Sequence, residues 1–172
     1  MKKVRVTLIS DTHSKHTQVT EHLPGGELLI HSGDISNRGE IYEIESFLKW
    51  YKSLSKYDHR VFIAGNHDWG FQDYPGDISN LLDKYCEVDY LQDNMYVLGD
   101  DYDSAIKIWG SPWQPRFNNW AFNADRGEDI KQYWDKIPNG IDILVTHGPA
   151  FGHLDTIIGQ TNNLGCEDLN EA

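Results

Sequence analysis

The sequence contains few cysteines, little positive charge and no long apolar run. Two cysteines, Cys86 and Cys166, are too few to cross-link a secreted domain, and they match no metal-finger spacing. The 15 basic residues are outnumbered by 27 acidic ones, so the net charge of −12 counts against a nucleic-acid polymer as partner. No apolar run is long enough to span a membrane, and the apolar residues after Met1 are too few for a signal peptide. We therefore expect a cytoplasmic protein that does not bind membranes.

What the sequence does contain suits one packed domain. Its 172 residues match the ordinary size of a domain, and 39% of them are apolar and 12% aromatic. The chain has no internal repeat, low-complexity tract or linker-like stretch. We expect residues 1–172 to form a single domain.

Four short apolar runs are each followed directly by a polar cluster. The runs begin at Val4, Leu28, Val61 and Ile141, and their β-branched and apolar composition predicts buried strands. The polar clusters that follow are Asp11-Thr12-His13, His31-Ser32-Gly33-Asp34, Gly65-Asn66-His67-Asp68 and Thr146-His147-Gly148. If the four strands were neighbours in one sheet, these clusters would meet at one edge of it.

Helical patterns lie between the strands. Apolar residues recur on one face from Ile41 to Leu54, and weaker patterns run from about Asp77, a candidate N-cap, to Tyr85 and from about Arg126 to Lys136. The region from Val88 to Gly110 resembles further strands. This alternation predicts an α/β fold with a largely parallel sheet, in which ligands bind beyond the carboxyl ends of the strands.

The polar clusters offer oxygen and imidazole ligands and no thiolate. The candidates for metal binding are Asp11, His13, Asp34, Asn66 and His147. Such a donor set suits Mn²⁺, Fe or Zn²⁺ in a catalytic centre better than a structural zinc site. Asp34 follows a glycine and could bridge two ions, which would hold a phosphoryl group and ionise an attacking water. Each cluster alone is also a common turn sequence; their order, each after a strand, favours the metal site.

A dense group of aromatic residues follows between Trp109 and Trp134. The simpler interpretation is that most of them belong to the core or to a lid on the sheet. The functional alternative is that Trp113, Phe117 or Phe122 flank the metal cleft, with three polar residues contacting the substrate. These candidate substrate-binding residues are Asn118, Asn123 and Arg126.

The four clusters, in this order, resemble the motifs of the calcineurin-like metallophosphoesterases. A second set of motifs is similar to the metallophosphoesterase-domain (MPPED) branch of that family. Its members here are Asp11–Ser14, Gly110–Pro115, Trp120–Asn123 with Arg126-Gly127, and Thr146–Pro149. The resemblance covers nearly the whole chain.

The resemblance implies a four-layer α-β-β-α sandwich and a dinuclear metal site that hydrolyses phosphomonoesters or phosphodiesters, with cyclic nucleotides as substrates in this branch. By position, Asp11 and His13 would hold the first ion and Asp34 would bridge. Asn66 and His147 would hold the second ion. Manganese is the first choice for both ions, with iron, zinc or nickel as alternatives.

The resemblance also assigns two catalytic residues. His67 would lie near the leaving-group oxygen, as general acid or transition-state stabiliser. Asp68 would orient His67 through a hydrogen bond.

The chain departs from the family pattern in one respect. The family's later Gly-His-x-His motif is missing, so we expect a C-terminally truncated domain without its last strands. An exposed sheet edge would then be open to a homo-oligomeric contact. Two functions stay open: a metal-dependent phosphoesterase acting on a small-molecule phosphoester, or a catalytically impaired protein of this fold that serves as an interaction module. A protein-serine/threonine phosphatase ranks last because the chain is short.

Overall fold

The computed structural model describes residues 3–159 and 163–172, which form two main β-sheets with helices packed around them. The strands of the described residues are β1 (Val6–Ile9), β2 (Gly26–Ser32), β3 (Tyr57–Ile63), β4 (Asp89–Tyr90), β5 (Asn94–Leu98), β6 (Ile106–Ser111), β7 (Gln114–Pro115), β8 (Asn123–Ala124) and β9 (Ile143–Thr146). The first sheet has the order β1-β2-β3-β4 and is parallel throughout. The second has the order β5-β6-β9, with β5 antiparallel and β9 parallel to β6. Strands β7 and β8 form a separate short pair.

The helices confirm the three predicted helical regions, and the described residues contain three further short helical elements. The α-helices are α1 (Ile41–Ser53), α2 (Gly70–Asp73), α3 (Pro75–Lys84), α4 (Glu128–Trp134) and α5 (Glu167–Glu171), and a 3-10 helix spans His16–His22. The predicted N-cap of α3 is wrong: the helix begins at Pro75, whose fixed φ suits the first helical position, and Asp77 lies in its first turn. None of the described helices combines the length and the apolar character needed to cross a bilayer.

One face of the first sheet packs against helix α1. Leu29 and Phe62, from neighbouring strands, join Phe47 and Tyr51 of α1 in one buried cluster. The Tyr51 hydroxyl donates to the carbonyls of Leu29 (3.1 Å) and Val61 (2.9 Å), so this buried phenol is satisfied by the sheet itself.

The opposite face of the first sheet packs against the second sheet. Ile30 and Ile63 alternate with the residues that face α1, and they share a cluster with Ile108 of β6 and Val145 of β9. A Cβ on Gly110 would come within 2.8 Å of Ile63 Cγ2, so the two sheets approach closely there. The α/β fold class with two sheets and flanking helices is confirmed.

The C-terminal residues pack against α4. Cys166 and Leu169 are buried with Ile130 and Trp134 in a third cluster. The Arg126 guanidinium donates to the Gly165 carbonyl (2.8 Å) and the Leu164 carbonyl (2.9 Å), which ties this segment to the start of α4.

The four strands that carry the polar clusters do not share one sheet. Strands β1, β2 and β3 are neighbours in the first sheet, but β9 belongs to the second. The clusters nevertheless meet, because both sheets present carboxyl ends of parallel strands to the same side of the molecule. The candidate site is therefore shared between the two sheets.

Candidate metal centre

The predicted metal ligands converge on Asp34. This carboxylate follows β2 and is 3% exposed. Its Oδ2 lies 3.5 Å from His13 Nε2, and its Oδ1 lies 3.5 Å from His147 Nε2. The amide oxygen of Asn66 is 3.0 Å from His147 Nε2. Asp11 completes a group with Asp34 and His147 in which the ligand atoms lie within 4.8 Å of one another.

The candidate ligand atoms form two overlapping groups. The sequence resemblance places Asp11 with His13 beside the first ion, but the geometry groups Asp11 with Asp34 and His147. A second group contains His13, Asp34 and His67. Asp34 belongs to both groups, and its bridging role stays a prediction.

Each of the three histidines around Asp34 is held through Nδ1 by a main-chain carbonyl. His13 Nδ1 is 3.2 Å from the Ser36 oxygen, His67 Nδ1 is 2.8 Å from the Asn37 oxygen, and His147 Nδ1 is 2.8 Å from the Ser32 oxygen. Because a carbonyl only accepts, Nδ1 carries the hydrogen and, in the neutral ring, leaves the Nε2 lone pair toward the centre. This is the tautomer that a metal-binding imidazole needs.

Two glycines leave room for the ligands. A Cβ on Gly33 would come within 2.6 Å of His147 Nδ1, and a Cβ on Gly65 would come within 2.8 Å of His147 Cε1 and overlap the Asp34 carboxylate. Gly33 also has φ +100°, which a side chain rarely adopts. Both glycines precede ligand-bearing residues, so the close approach of the loops depends on them.

The backbone of the ligand loops is left-handed at several residues other than glycine. Asp11 (φ 55°), His13 (φ 41°), Ser14 (φ 61°) and Asp34 (φ 56°) all have positive φ. The amides of Asp11, His13 and Ser14 donate to the carbonyls of Gly33, Asp34 and Ile35, each at 3.0 Å, so the two loops fix one another. Unfavourable backbone conformations of this kind persist where the surroundings determine them, and they concentrate at functional sites.

The charges at the centre favour a bound cation. Among the described residues, the basic groups within 4.0 Å of the Asp34 carboxylate are all histidines: His13, His67 and His147. Neither Asp11 nor Asp34 has an ion pair with lysine or arginine in the described part of the chain. Two carboxylates, imidazole nitrogens and an amide oxygen therefore converge without a positive side chain, and this donor set fits Mn²⁺, Fe or Zn²⁺.

The predicted hydrogen bond from Asp68 to His67 is wrong. Asp68 is completely buried and accepts from the amides of Ile35 (3.1 Å), Ser36 (2.9 Å) and Gly65 (2.8 Å), and from the Ser36 hydroxyl (2.5 Å). Burial raises the pKa of Asp68 to about 6, although the bonds from Ser36 and Gly65 lower it. The carboxylate joins the loop after β3 to the loop after β2, and the Asn37 carbonyl orients His67 instead.

Trp120 lies at the site; the sequence analysis placed it in a family motif but not among the aromatic residues that flank the metal cleft. Its ring lies 4.1 Å from the His67 ring, with an angle of 34° between the planes. The next residue, Ala121, donates its amide to the Asn66 carbonyl (3.0 Å), so this segment is anchored to a ligand loop. The available signals were its position in the aromatic group and in the Trp120–Asn123 motif, and neither signal separates Trp120 from the neighbouring Phe122.

Of the other aromatic candidates, Trp113 and Phe122 are packed within the protein, and Phe117 is exposed. Trp113 stacks on Tyr133 with 3.7 Å between ring centroids, and Phe122 is 1% exposed. Phe117 is 64% exposed and makes no ring contact with the described residues.

The polar candidates for substrate contact are also engaged elsewhere. The Asn123 side chain bonds to the main chain of Phe117 and Asn118 and closes its own loop, in which Asn118 is exposed and left-handed. Arg126 binds the carbonyls of Leu164 and Gly165. In this conformation neither Asn123 nor Arg126 is free for a ligand, because loop closure and packing of the C-terminal segment use their polar atoms.

Glu43, in the first turn of α1, holds both ligand loops. Its carboxylate accepts from the Ser14 hydroxyl (2.9 Å) and from the amides of Asn37 (3.2 Å), Arg38 (3.1 Å) and Glu40 (3.2 Å). Burial raises the pKa of Glu43, but the hydrogen bonds from Ser14, Arg38 and Asn37 outweigh it, so the pKa lies below its ordinary value. No sequence pattern indicates this role, since nothing in the sequence separates Glu43 from the neighbouring Glu40 and Glu45.

His31 supports the site from within the first sheet. It is fully buried, and its Nε2 lies 3.0 Å from the hydroxyl of Thr12, the residue between Asp11 and His13. Burial, with smaller contributions from the neighbouring His147, His16 and His13, lowers the pKa of His31 to about 3. His31 thus lies near the end of β2 with Nε2 hydrogen-bonded, while Nδ1 is buried without a hydrogen-bond partner among the described residues.

Comparison with known sequences finds one protein family that matches nearly the whole chain. The family model for calcineurin-like phosphoesterases matches residues 4–169. The chain is 37% identical over 180 residues to human metallophosphoesterase domain-containing protein 1, covering 96% of this chain and 54% of that protein. It is also 37% identical over 161 residues to the UPF0046 protein C25E10.12 of Caenorhabditis elegans, covering 89% and 56%. The chain therefore spans about half the length of these relatives.

Solved structures with low sequence identity share the fold. The protein TT1561 of Thermus thermophilus aligns over 98% of this chain and 76% of its own, with a TM-score of 0.60 and 11% identity. Another solved chain aligns over 98% and 79%, with a TM-score of 0.67 and 13% identity.

Proposed function

The chain belongs to the calcineurin-like phosphoesterase family, and from this premise we propose that it is a metal-dependent phosphoesterase that hydrolyses small phosphodiesters or phosphomonoesters, cyclic nucleotides among them. The observation that carries the proposal is the convergence of Asp11, His13, Asn66 and His147 on the buried carboxylate of Asp34.

Two ions are proposed, because Asp34 belongs to two groups of ligands that lie on either side of its carboxylate. His13 with Asp34 would hold one ion, and His147 with Asn66 and Asp34 the other. Asp11 belongs to the group that contains His147, but it lies in the same loop as His13. Manganese is the first choice, with iron, zinc or nickel as alternatives. Such ions, when bound, polarise phosphoryl oxygens and lower the pKa of the attacking water.

The chain's own residues orient the centre and supply the proton. Asp34 is fixed by the His67 amide, which donates to its Oδ1 at 2.8 Å. The His67 ring is 26% exposed, with Nδ1 bonded to the Asn37 carbonyl, so its Nε2 faces the space beside Asp34. We assign His67 to the leaving-group side, where its imidazolium form, with hydrogens on both Nδ1 and Nε2, gives the Nε2 proton to the departing oxygen.

A small substrate agrees with the charge of the chain. With a net charge of −12, the protein repels polyanions at long range, while a pair of cations at the centre would attract a single phosphoryl group. We therefore propose a small-molecule phosphoester as the substrate, rather than a nucleic-acid polymer or a membrane lipid surface.

The test is hydrolysis of bis(4-nitrophenyl) phosphate by the purified chain with Mn²⁺, together with a metal count by mass spectrometry. We expect turnover that disappears in Asp34→Ala together with the bound metal. An exposed-site control, Asp83→Asn, should keep both, because Asp83 lies on the outer surface of α3. Two ions per chain with no turnover above Asp34→Ala would contradict the enzyme proposal. No metal and no turnover would favour the alternative, a catalytically impaired interaction module.

We also propose that two copies of the chain associate through β9. In the described residues β9 is an edge strand of the second sheet, and Leu144 on it is 40% exposed. Sedimentation equilibrium should show a dimer, and Leu144→Lys should give a monomer; a monomeric unmodified chain would contradict this.

The single-domain organisation of residues 1–172 and the cytoplasmic location stay predictions of the sequence.

A further inference from the structure

A pocket of about 360 Å³ adjoins the metal centre on the side where His67 lies. Trp120 belongs to both, because its ring lines the pocket and lies 4.1 Å from the His67 ring. Asn37 also lines the pocket, and its carbonyl is 2.8 Å from His67 Nδ1. A group carried by an alcohol that departs past His67 would therefore enter this pocket.

Three aromatic rings form separate walls of the pocket. Trp69 precedes α2, Tyr74 lies between α2 and α3, and Trp120 follows β7. Within the described part of the chain, Trp120 has its ring contact with His67, and neither Trp69 nor Tyr74 contacts another ring. The three rings therefore do not stack on one another, and their faces are free for a ligand.

The charged groups of the pocket are negative on balance. Glu40 and Asp73 contribute two carboxylates to the lining, and Arg38 contributes one guanidinium. All three residues are exposed, and the Arg38 guanidinium has no ion pair with either carboxylate. The chain as a whole carries a net charge of −12. The pocket therefore attracts a cation and repels a second anionic group on the same substrate.

The shape of the pocket is set by backbone packing. A Cβ on Gly39 would overlap the amides of Trp69 and Gly70, so the loop after β2 lies directly against the start of α2. The Gly39 amide donates to the Ser36 hydroxyl (2.8 Å), and this bond fixes the loop further. The pocket is thus formed before a ligand binds, which reduces the cost of ordering it.

Aromatic walls with nearby carboxylates suit a quaternary ammonium group. The faces of tryptophan and tyrosine rings attract a cation, and a methylated ammonium presents carbon atoms to those faces while it keeps its charge. Such a group has no N–H donor, so it needs no hydrogen-bond acceptor in the pocket. The carboxylates then act through charge alone, at a distance.

We propose that this pocket binds a quaternary ammonium group carried by the alcohol portion of the phosphoester, as in esters of choline. The proposal rests on the proposed function, because it assigns the pocket to the alcohol that His67 protonates. It leaves the phosphoryl group to the metal centre. A substrate of this class also suits the charge of the chain, since its cation offsets the phosphoryl charge that the acidic protein repels.

The test is binding of choline to the Mn²⁺-loaded protein, measured by isothermal titration calorimetry. The control ligand is 3,3-dimethylbutanol, which has the same shape and carries carbon in place of the charged nitrogen. We expect choline to bind at least about tenfold more tightly, because a cation against desolvated rings gains roughly that factor. Neither ligand contains phosphate, so this measurement does not depend on hydrolysis.

Three variants at exposed positions give effects of opposite sign. Tyr74→Leu should weaken choline binding about threefold or more, and Asp73→Asn about two- to fivefold. Arg38→Ala should strengthen it about twofold, because a repelling charge is removed. Tyr102→Leu and Asp83→Asn are the matched controls and should leave choline binding unchanged; Tyr102 has the same exposure of 55% as Tyr74, and both control residues lie outside the lining.

Hydrolysis of bis(4-nitrophenyl) phosphate separates this proposal from the proposed function. Hydrolysis with no preference for choline over 3,3-dimethylbutanol would overturn the ammonium subsite alone. Choline binding that Tyr74→Leu and Asp73→Asn leave unchanged, or that Arg38→Ala weakens, would also overturn it. Choline binding with the expected variant effects, but without hydrolysis of any phosphoester, would overturn the proposed function and the leaving-group assignment together.

Discussion

Main-chain carbonyls set the tautomer of the histidine side chains at the centre. His13, His67 and His147 lie on three different loops, yet each directs Nδ1 to a carbonyl and Nε2 to Asp34. The sequence identified all three histidines, because each follows a predicted strand. It could not identify the carbonyls, since a main-chain acceptor has no sequence signature.

His67 is the residue for which two roles can be separated by experiment. We expect His67→Gln to lower kcat about 10²–10⁴-fold with two ions retained, because His67 is proposed to act on the leaving group. Turnover and metal content should be measured on the same sample, with His22→Gln at an exposed position as control. Parallel loss of metal and turnover would instead make His67 a ligand, as its group with His13 and Asp34 would permit.

His31 makes acid stability of the fold depend on one buried imidazole. Its pKa of about 3 lies below the ordinary 6.5, so below pH 6.5 the unfolded chain takes up a proton that the folded chain does not. Stability should therefore fall by about 1.4 kcal/mol for each pH unit between roughly 6.5 and 3, and should not depend on His31 above 6.5.

The measurement is urea unfolding of metal-free protein at pH 7.5 and pH 5, compared with His31→Gln. The variant should lose less stability between the two pH values, because it has no proton to take up at this position. An equal loss in both proteins would show that His31 does not contribute.

Loops and helices position the side chains of the centre. The sequence predicted the helices but not the hydrogen bonds that join them to the loops. The apolar period from Ile41 predicted α1 correctly. The same pattern did not reveal that Glu43, one of three glutamates between positions 40 and 45, fixes the loops after β1 and β2. The contact with Ser14 joins residues 29 positions apart, whereas periodicity reports only on neighbours.

Asp68 illustrates how a loop contact replaced a predicted catalytic one. We expect Asp68→Asn to lower the free energy of unfolding by about 2–4 kcal/mol, because the amide nitrogen would face buried main-chain donors in place of an acceptor oxygen. Chemical denaturation of the variant and of the control Asp83→Asn would measure this. Unchanged stability with an altered pH–rate profile would restore the orienting role for Asp68.

The whole molecule contributes to the centre from both of its sheets. Asp11, Asp34 and Asn66 follow strands of the first sheet, and His147 follows β9 of the second. The sequence predicted the convergence of these residues but not its division between sheets, because strand order is decided by packing of the whole chain.

Metal binding should therefore stabilise the complete fold. We expect Mn²⁺ at about 100 times its dissociation constant to add roughly 2.7 kcal/mol and to raise Tm by about 5–10 °C. Scanning calorimetry with and without chelator would measure the shift, and Asp34→Ala should show none. An equal shift in Asp34→Ala would place the stabilising ion elsewhere.

The left-handed residues of the ligand loops predict what a large variant library would yield. Four of these residues have a positive φ, a backbone conformation that costs glycine or asparagine less energy: Asp11, His13, Ser14 and Asp34. A library sorted only for resistance to proteolysis, without metal, should drift toward glycine or asparagine at these four positions. A library sorted for ester cleavage should keep aspartate and histidine at 11, 13 and 34. Sequencing both pools would show at which positions selection for stability and selection for ester hydrolysis favour different residues.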